Sequence, residues 1–267
     1  MALILAAQTA FPVTAAETAY GPAKEIENRI AGQNGGVIPA TPLVPAQTAE
    51  ALEGAPSTDV QAYNGDVNTL KTAATTDKLL VAVGNPEGPT KTVVSYYEKD
   101  TSGKFNQIFS VDAVCGMKGI SAEKVEGDKK TPQGVYTFPM AFGMKDNPGS
   151  ILPYHKVVNG DHYVDDSNSR YYNQLVNEFS VARDWSSSEN LITQAPQYNY
   201  ALVMNYNETN TPGKGSAIFL HCPKITNNTG TSGCISIPEE RMKELLLKVD
   251  ANTKIIVVPE EYWLAFY

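Results

Sequence analysis

I-F-L-H-C-P-K-I-T-N-N-T-G-T-S-G-C-I-S-I-P-E-E, residues 218–240, is the stretch around which the rest of the chain is read. An apolar β-type run ends in His221, and a loop carrying Pro223, Lys224, Asn227, Asn228, Thr229 and Gly230 follows. The loop closes on Gly233-Cys234, and Ile235 to Ile237 form a second short β-type run. An imidazole and a thiol therefore stand at the two ends of a hairpin-like excursion. That arrangement brings a base and a sulfur nucleophile within hydrogen-bond reach on short, rigid elements. Gly233 permits a tight backbone and leaves room for a substrate carbonyl to approach the backbone N–H groups. A nearby helix start, or an adjacent imidazolium, would lower the thiol pKa. The reading is an enzyme.

Downstream, Pro238 with Glu239-Glu240 opens a helix, proline at its first position and acids in its first turn. Met242, Leu245, Leu246 and Val249 recur at helical spacing and form one apolar face. Lys254–Val258 returns as a buried strand. Upstream, K-L-L-V-A-V-G (78–84), T-V-V-S-Y-Y-E-K (92–99) and F-N-Q-I-F-S-V-D-A-V-C (105–115) are β-type runs rich in Val, Ile, Phe and Tyr. Gly84-Asn85-Pro86 and 100–104 supply the turns between them. In K-T-P-Q-G-V-Y-T-F-P (130–139), Pro132 and Gly134 shape a turn that feeds another strand. Y-N-Y-A-L-V-M-N-Y-N (198–207) alternates as a half-buried strand.

Between them, 143–196 reads as a long irregular stretch, and loops of that length inside a compact domain are usually functional. It is a candidate substrate lid, with Tyr154, His155, Arg183 and Trp185 as substrate-binding candidates. Tyr171, Tyr172 and Trp185 also suit packing within the lid. His155 and His162 admit either substrate contact or a solvated loop position. Asp165-Asp166 resembles a carboxylate pair, but adjacent residues of a strand point to opposite faces, which favours one turn cap and one exposed charge.

The chain has 267 residues, 42% of them hydrophobic, enough for one substantial core. Its net charge of −8 carries no basic patch of the kind nucleic-acid binders use. Residues 2–16, A-L-I-L-A-A-Q-T-A-F-P-V-T-A-A, have the apolar core and small-residue cleavage zone of an export signal, though no basic segment precedes them. The run is too short and interrupted to span a bilayer. Residues 17–76, rich in Ala, Thr, Pro, Gly and Asn, read as an extended linker. The folded domain is assigned to 77–267, and the protein to the exported side of the membrane.

Of three cysteines, Cys115 reads as a small buried hydrophobe at a strand end, and pairing of Cys115 with Cys222 is left open by the sequence. A zinc site on His221, Cys222 and Cys234 lacks a fourth nearby ligand and any C-x-x-C pair. No Gly-rich phosphate loop and no helical H-E-x-x-H is present. A papain-like amidase places its cysteine before its histidine, the reverse of this order. A sortase requires an arginine shortly after the cysteine strand, whereas Arg241 falls on the helix.

The block from His221 to Cys234 resembles the L,D-transpeptidase (YkuD-type) catalytic domain of bacterial cell-wall enzymes. That family's pattern is a His, a loop, then Ser/Thr-His-Gly-Cys, matched here by His221 and Thr231-Ser232-Gly233-Cys234. K-T-P-Q-G-V-Y (130–136) is similar to the family's T-P-x-G-x-Y/F strand. Y-V-D-D-S-N-S-R-Y-Y-N (163–173) and G-K-G-S-A-I-F-L-H (213–221) resemble its exported branch. Ser232 stands where the main pattern has His, and Ser236 where it has Arg. The resemblance implies a mainly β (α+β) fold, a β-sandwich with one helix packed after the cysteine. It implies Cys234 as nucleophile, His221 as base, and Ser232 and Gly233 in the oxyanion turn, with Ser232 or its carbonyl orienting His221. The implied reaction cleaves the bond before D-Ala in a peptidoglycan tetrapeptide stem and makes a 3→3 cross-link with a second stem's amine. No metal or organic cofactor is implied. Hydrolysis at the same site would make an L,D-carboxypeptidase. A wall-binding protein that kept the fold is the non-enzyme alternative.

Overall fold

The computed structural model describes residues 65–86, 88–224 and 229–267. The export signal, most of the linker and the loop tip 225–228 lie outside the described residues. Three long strands come first: β1 (Lys78–Gly84), β2 (Lys91–Lys99) and β3 (Phe105–Val114). The short β4 (Ile120–Ser121) and β5 (Thr131–Pro132) pair with each other. Then follow β6 (Gly134–Thr137), β7 (Met140–Gly143) and β8 (Tyr154–Lys156). A separate small sheet holds β9 (Asp161–Val164), β10 (Leu175–Asn177) and β11 (Ser188–Asn190). The chain continues through β12 (Ala201–Val203), β13 (Phe219–His221) and β14 (Ile235–Ser236). Helix α1 (Glu239–Leu246) and strand β15 (Lys254–Val258) complete the domain.

The mainly β expectation holds. Its β layers belong to one hydrogen-bonded sheet of ten strands, ordered β6-β15-β1-β2-β3-β14-β13-β12-β7-β8. One face of that sheet encloses the main core. Leu80, Val94, Phe109, Leu202, Leu220, Ile235 and Ile255 meet there with Met242, Leu245 and Leu246 of α1. Strands from both halves of the order share one cluster, so the sheet curls around the helix. Burial of each such side chain contributes about 1.5–3 kcal/mol, which makes α1 the plug of the core.

The continuous apolar runs of β1 and β15 follow from burial on both faces. Leu80, Ala82, Ile255 and Val257 enter the main core, while Leu79, Val81, Ile256 and Val258 enter a second cluster on the other face. That cluster includes Val67, Leu70 and Ala73, so the end of the stretch read as linker packs on the sheet in two short 3₁₀ turns. The α1 reading also holds: its buried residues are Met242, Leu245 and Leu246, with Val249 buried just beyond its end. Pro238 caps the helix rather than beginning it.

Two expectations are corrected. Residues 198–207 are not a half-buried strand: only Ala201–Val203 is extended, and Tyr198 and Tyr200 to Met204 are all buried. This strand lies inside the sheet between β7 and β13, with Leu202 in the main core and Ala201 and Val203 in the cluster on the other face, so both faces are covered. The stretch 143–196 is not irregular throughout. It contains β8 to β11, and Val164, Val176 and Trp185 give the small sheet its own apolar cluster. Its short strands carry His, Asn, Asp and Ser, which hide the period-two pattern. No helix among the described residues is long and apolar enough to cross a membrane.

Candidate active site

β13 and β14 run parallel, with Leu220 opposite Ile235 and His221 opposite Ser236. Extending that register back by one residue sets Phe219 opposite Cys234. Leu220 and Ile235 face the main core, whereas Phe219 and Cys234 belong to a cluster on the other face. By strand alternation His221 shares that second face. The Cα atoms of His221 and Cys234 are thus one strand apart and two residues along, a diagonal of about 8 Å from strand spacing and rise. The two side chains leave the same face of the sheet.

The thiol is buried, accepting from the Phe219 N–H at 3.3 Å and donating to the Ala217 carbonyl at 3.2 Å. Ala217 sits at φ 53°, a left-handed conformation unusual for a residue other than glycine. It is held there by its N–H donating to the Asn173 side chain at 3.1 Å. Nearby, the Gly215 N–H donates to the Tyr172 hydroxyl at 3.0 Å, and the Ser216 hydroxyl to Glu126 at 2.6 Å. The physical role of the 163–173 segment is therefore to fasten the backbone that precedes β13.

The Gly233-Cys234 turn is tied just as closely. The Thr131 hydroxyl accepts from the Gly116 N–H at 2.8 Å and donates to the Gly233 carbonyl at 2.7 Å. The Thr231 hydroxyl accepts from the Gly233 N–H at 3.1 Å and donates to the Cys234 carbonyl at 2.6 Å. Gly233 lies at φ 150°, and a Cβ there would come within 3.0 Å of both the Ile218 side chain and the Lys130 carbonyl. Only glycine fits.

His221 is buried, with its Nδ1 2.6 Å from the Cys222 carbonyl. A carbonyl only accepts, so Nδ1 carries the proton and Nε2 of the neutral ring keeps its lone pair. The Nδ1 partner is thus the Cys222 carbonyl, and the Ser232 side chain is exposed. The edge of the His221 ring meets Tyr198, with centroids 5.5 Å apart at 82°. Burial pulls the imidazole down to about 4, against a small upward effect of the Cys222 carbonyl bond. Burial pushes the Cys234 thiol well above the usual range, and the nearby Glu189 charge adds to this. The Phe219 N–H and Lys124 oppose it. The expected lowering of the thiol pKa is therefore reversed: at rest the pair is neutral thiol and neutral imidazole. Helix α1 packs its buried side chains into the main core, whereas Cys234 lies in the cluster on the other face of the sheet.

The substrate-binding candidates occupy other surroundings. Tyr154 donates its hydroxyl to the Lys145 carbonyl at 2.7 Å, and His155 is 2.8 Å from Asp161 through Nε2. Arg183 lies over the Trp185 ring at 5.5 Å and donates to the Trp185 carbonyl. Trp185 is buried in the small sheet's cluster. His162 is buried, with Nδ1 2.8 Å from the Ser188 hydroxyl, and is not a solvated loop histidine. Asp166 caps a turn through the Asn168 N–H, as expected, and is held down at about 2 by its bonds to Ser186 and Asn168. Asp165 is half-buried rather than exposed, and burial raises its pKa.

Sequence reasoning passed over Thr131, Tyr198, Glu189 and Lys124. Thr131 lay within a quoted motif without a role. Lys124 pairs with Asp128 at 2.7 Å, and its Cε comes 3.7 Å from where a Gly233 Cβ would stand. Nothing in its local sequence signals that position. The three cysteines are free, and among the described residues no group of three or more His, Cys, Asp and Glu side chains is placed to hold a metal ion.

A mainly β domain with a buried His and Cys on adjacent parallel strands, behind a glycine turn, defines the class. The chain belongs to the L,D-transpeptidase catalytic domain (YkuD) family, whose sequence pattern matches residues 72–257. Among curated proteins none matches it. Among solved structures it is similar to Pgp2, a helical cell shape determining protein from Campylobacter jejuni, at 16% identity and a TM-score of 0.36, covering 71% of this chain and 52% of that one. It is also similar to a mutant L,D-transpeptidase of Enterococcus faecium, at 17% identity and a TM-score of 0.32, covering 68% of this chain and 49% of that one. The chain spans about half the length of these structures.

Proposed function

We propose that this protein is a cysteine-dependent L,D-transpeptidase acting on peptidoglycan stem peptides outside the membrane. The observation that carries the reading is the His221 imidazole, fixed by Cys222 with its Nε2 lone pair free, on the same face as the Cys234 thiol. His221 takes the thiol proton as the sulfur attacks the carbonyl of the bond before D-Ala in a tetrapeptide stem. Because both groups rest in their neutral forms, proton transfer accompanies the attack rather than preceding it. The Gly233 N–H is already donated to Thr231, so the N–H groups of Ser232 and Cys234 serve the oxyanion. One such donor is worth about 3 kcal/mol in comparable sites. Imidazolium then protonates the departing D-Ala amine, leaving a thioester on Cys234. An amine from a second stem resolves it to a 3→3 cross-link; water would resolve it to a tripeptide, the carboxypeptidase outcome.

The test is intact mass of the full chain incubated with a disaccharide-tetrapeptide, with products analysed in parallel and Cys234→Ala as control. A thioester-sized adduct on wild type alone, together with a cross-linked dimer, is the expected result. An adduct with released tripeptide and no dimer moves the assignment to carboxypeptidase. No adduct and no product with several stems withdraws the enzyme reading in favour of a wall-binding protein.

A further inference from the structure

A carboxylate lies beside this His–Cys pair with no part in the acylation step. Glu189 sits in β11, directly opposite Tyr163 of β9, so the two side chains leave the small sheet on the same face. Tyr163 packs edge-on against Phe219 with centroids 4.9 Å apart, in the cluster that contains Cys234. Glu189 therefore faces the nucleophile. Its carboxylate accepts the hydroxyl of Tyr198, and the Tyr198 ring packs against both His221 and Phe219. One phenol thus links the acid to the base.

Glu189 is half-buried and largely surrounded by protein. Among the described residues it has no ion-pair partner within 4.0 Å, although a carboxylate accepts several hydrogen bonds and Tyr198 supplies one. Burial raises its pKa, and Asp165 and Glu126 add to this, while the Tyr198 hydrogen bond and Lys224 act the other way. A negative group in this position is a liability for a thiolate, whose formation it opposes. It suits a cation that arrives after the sulfur has been acylated and no longer carries charge.

We propose that Glu189 is the acceptor-amine residue: from its place beside Cys234, buttressed by Tyr198 against His221, it binds the ammonium of the incoming stem and takes one proton from it. The inference rests on the acyl-transfer reading above. The acceptor arrives as R–NH₃⁺ and gives one proton to Glu189. The free amine forms the C–N bond at the thioester carbon. His221 removes the second proton from nitrogen, the C–S bond breaks, and imidazolium returns that proton to the Cys234 sulfur. The products are an amide, a thiol, neutral imidazole and a protonated Glu189 that releases its proton to solvent.

The experiment follows acylation and its resolution separately in the full chain, wild type and Glu189→Gln. The donor is the disaccharide-tetrapeptide, which also serves as the acceptor. In a second arm the acceptor is hydroxylamine, a nucleophile that is uncharged at neutral pH. In Glu189→Gln the Cys234 adduct is expected to form at least as fast as in wild type, since the charge that opposes the thiolate is gone. The yield of dimer per adduct is expected to fall about a hundredfold. Hydrolysis and resolution by hydroxylamine are expected to stay near wild type. An unchanged ratio of dimer to hydrolysis overturns the assignment. So does an equal loss of acylation and cross-linking, or of both acceptors together, which would place Glu189 in the frame of the site. Absence of any adduct on wild type overturns the acyl-transfer reading itself, and this assignment falls with it.

Discussion

Acid should destabilise this fold through His221 in particular, by an amount that follows from its burial. The imidazole is held at about 4 instead of its ordinary 6.5, because the buried ring resists charging. Below pH 6.5 the unfolded chain takes up a proton that the folded chain refuses. Stability is therefore complete above pH 6.5 and is lost progressively as pH falls towards 4. The shift, 6.5 minus about 4, is about 2.5 units; at 1.36 kcal/mol per unit the full loss is about 3 kcal/mol. Urea unfolding of wild type and His221→Gln at pH 7 and pH 4 isolates it. Carboxylates such as Asp166 titrate in both proteins and cancel in the difference. The stability gap between the two should shift by about 3 kcal/mol in favour of the variant on going to pH 4. The acid limb of kcat/KM should likewise fall near pH 4, not near 6.5. A gap that stays constant with pH, or an imidazole titrating near 6.5 by NMR, would refute the argument.

Thr131→Val keeps the side-chain shape but leaves the Gly116 N–H and the Gly233 carbonyl without their buried partner. It should cost about 3 kcal/mol in chemical denaturation. Gly233→Ala forces a Cβ into Ile218 and the Lys130 carbonyl at positive φ; a loss of about 2 kcal/mol or more in stability, with acylation of Cys234 abolished, is expected by denaturation and intact mass. Cys222 donates its thiol to the Tyr200 carbonyl at 3.5 Å, and burial pushes its pKa up to about 12. Cys222→Ser keeps a donor there and should leave the acylation rate near wild type; its abolition would mean that the wrong thiol has been assigned.

What could be read from the chain divides along a physical line. The long runs of β1 to β3, the α1 face and β15 were legible because each buries enough apolar side chain to impose its own period. Cys234 and His221 were legible as a pair because one short excursion joins their strands, so sequence proximity and parallel pairing coincide. The supports were not legible, because they come from far along the chain and act through single polar bonds. Thr131 reaches Gly233 across 102 residues, and Asn173 reaches Ala217 across 44. Neither belongs to a periodic pattern. The orienting group of His221 is a main-chain carbonyl, which no side-chain identity announces. The raised thiol pKa was likewise outside local reading: a glycine turn before a helix suggests activation, but the balance is set by how much protein covers the sulfur.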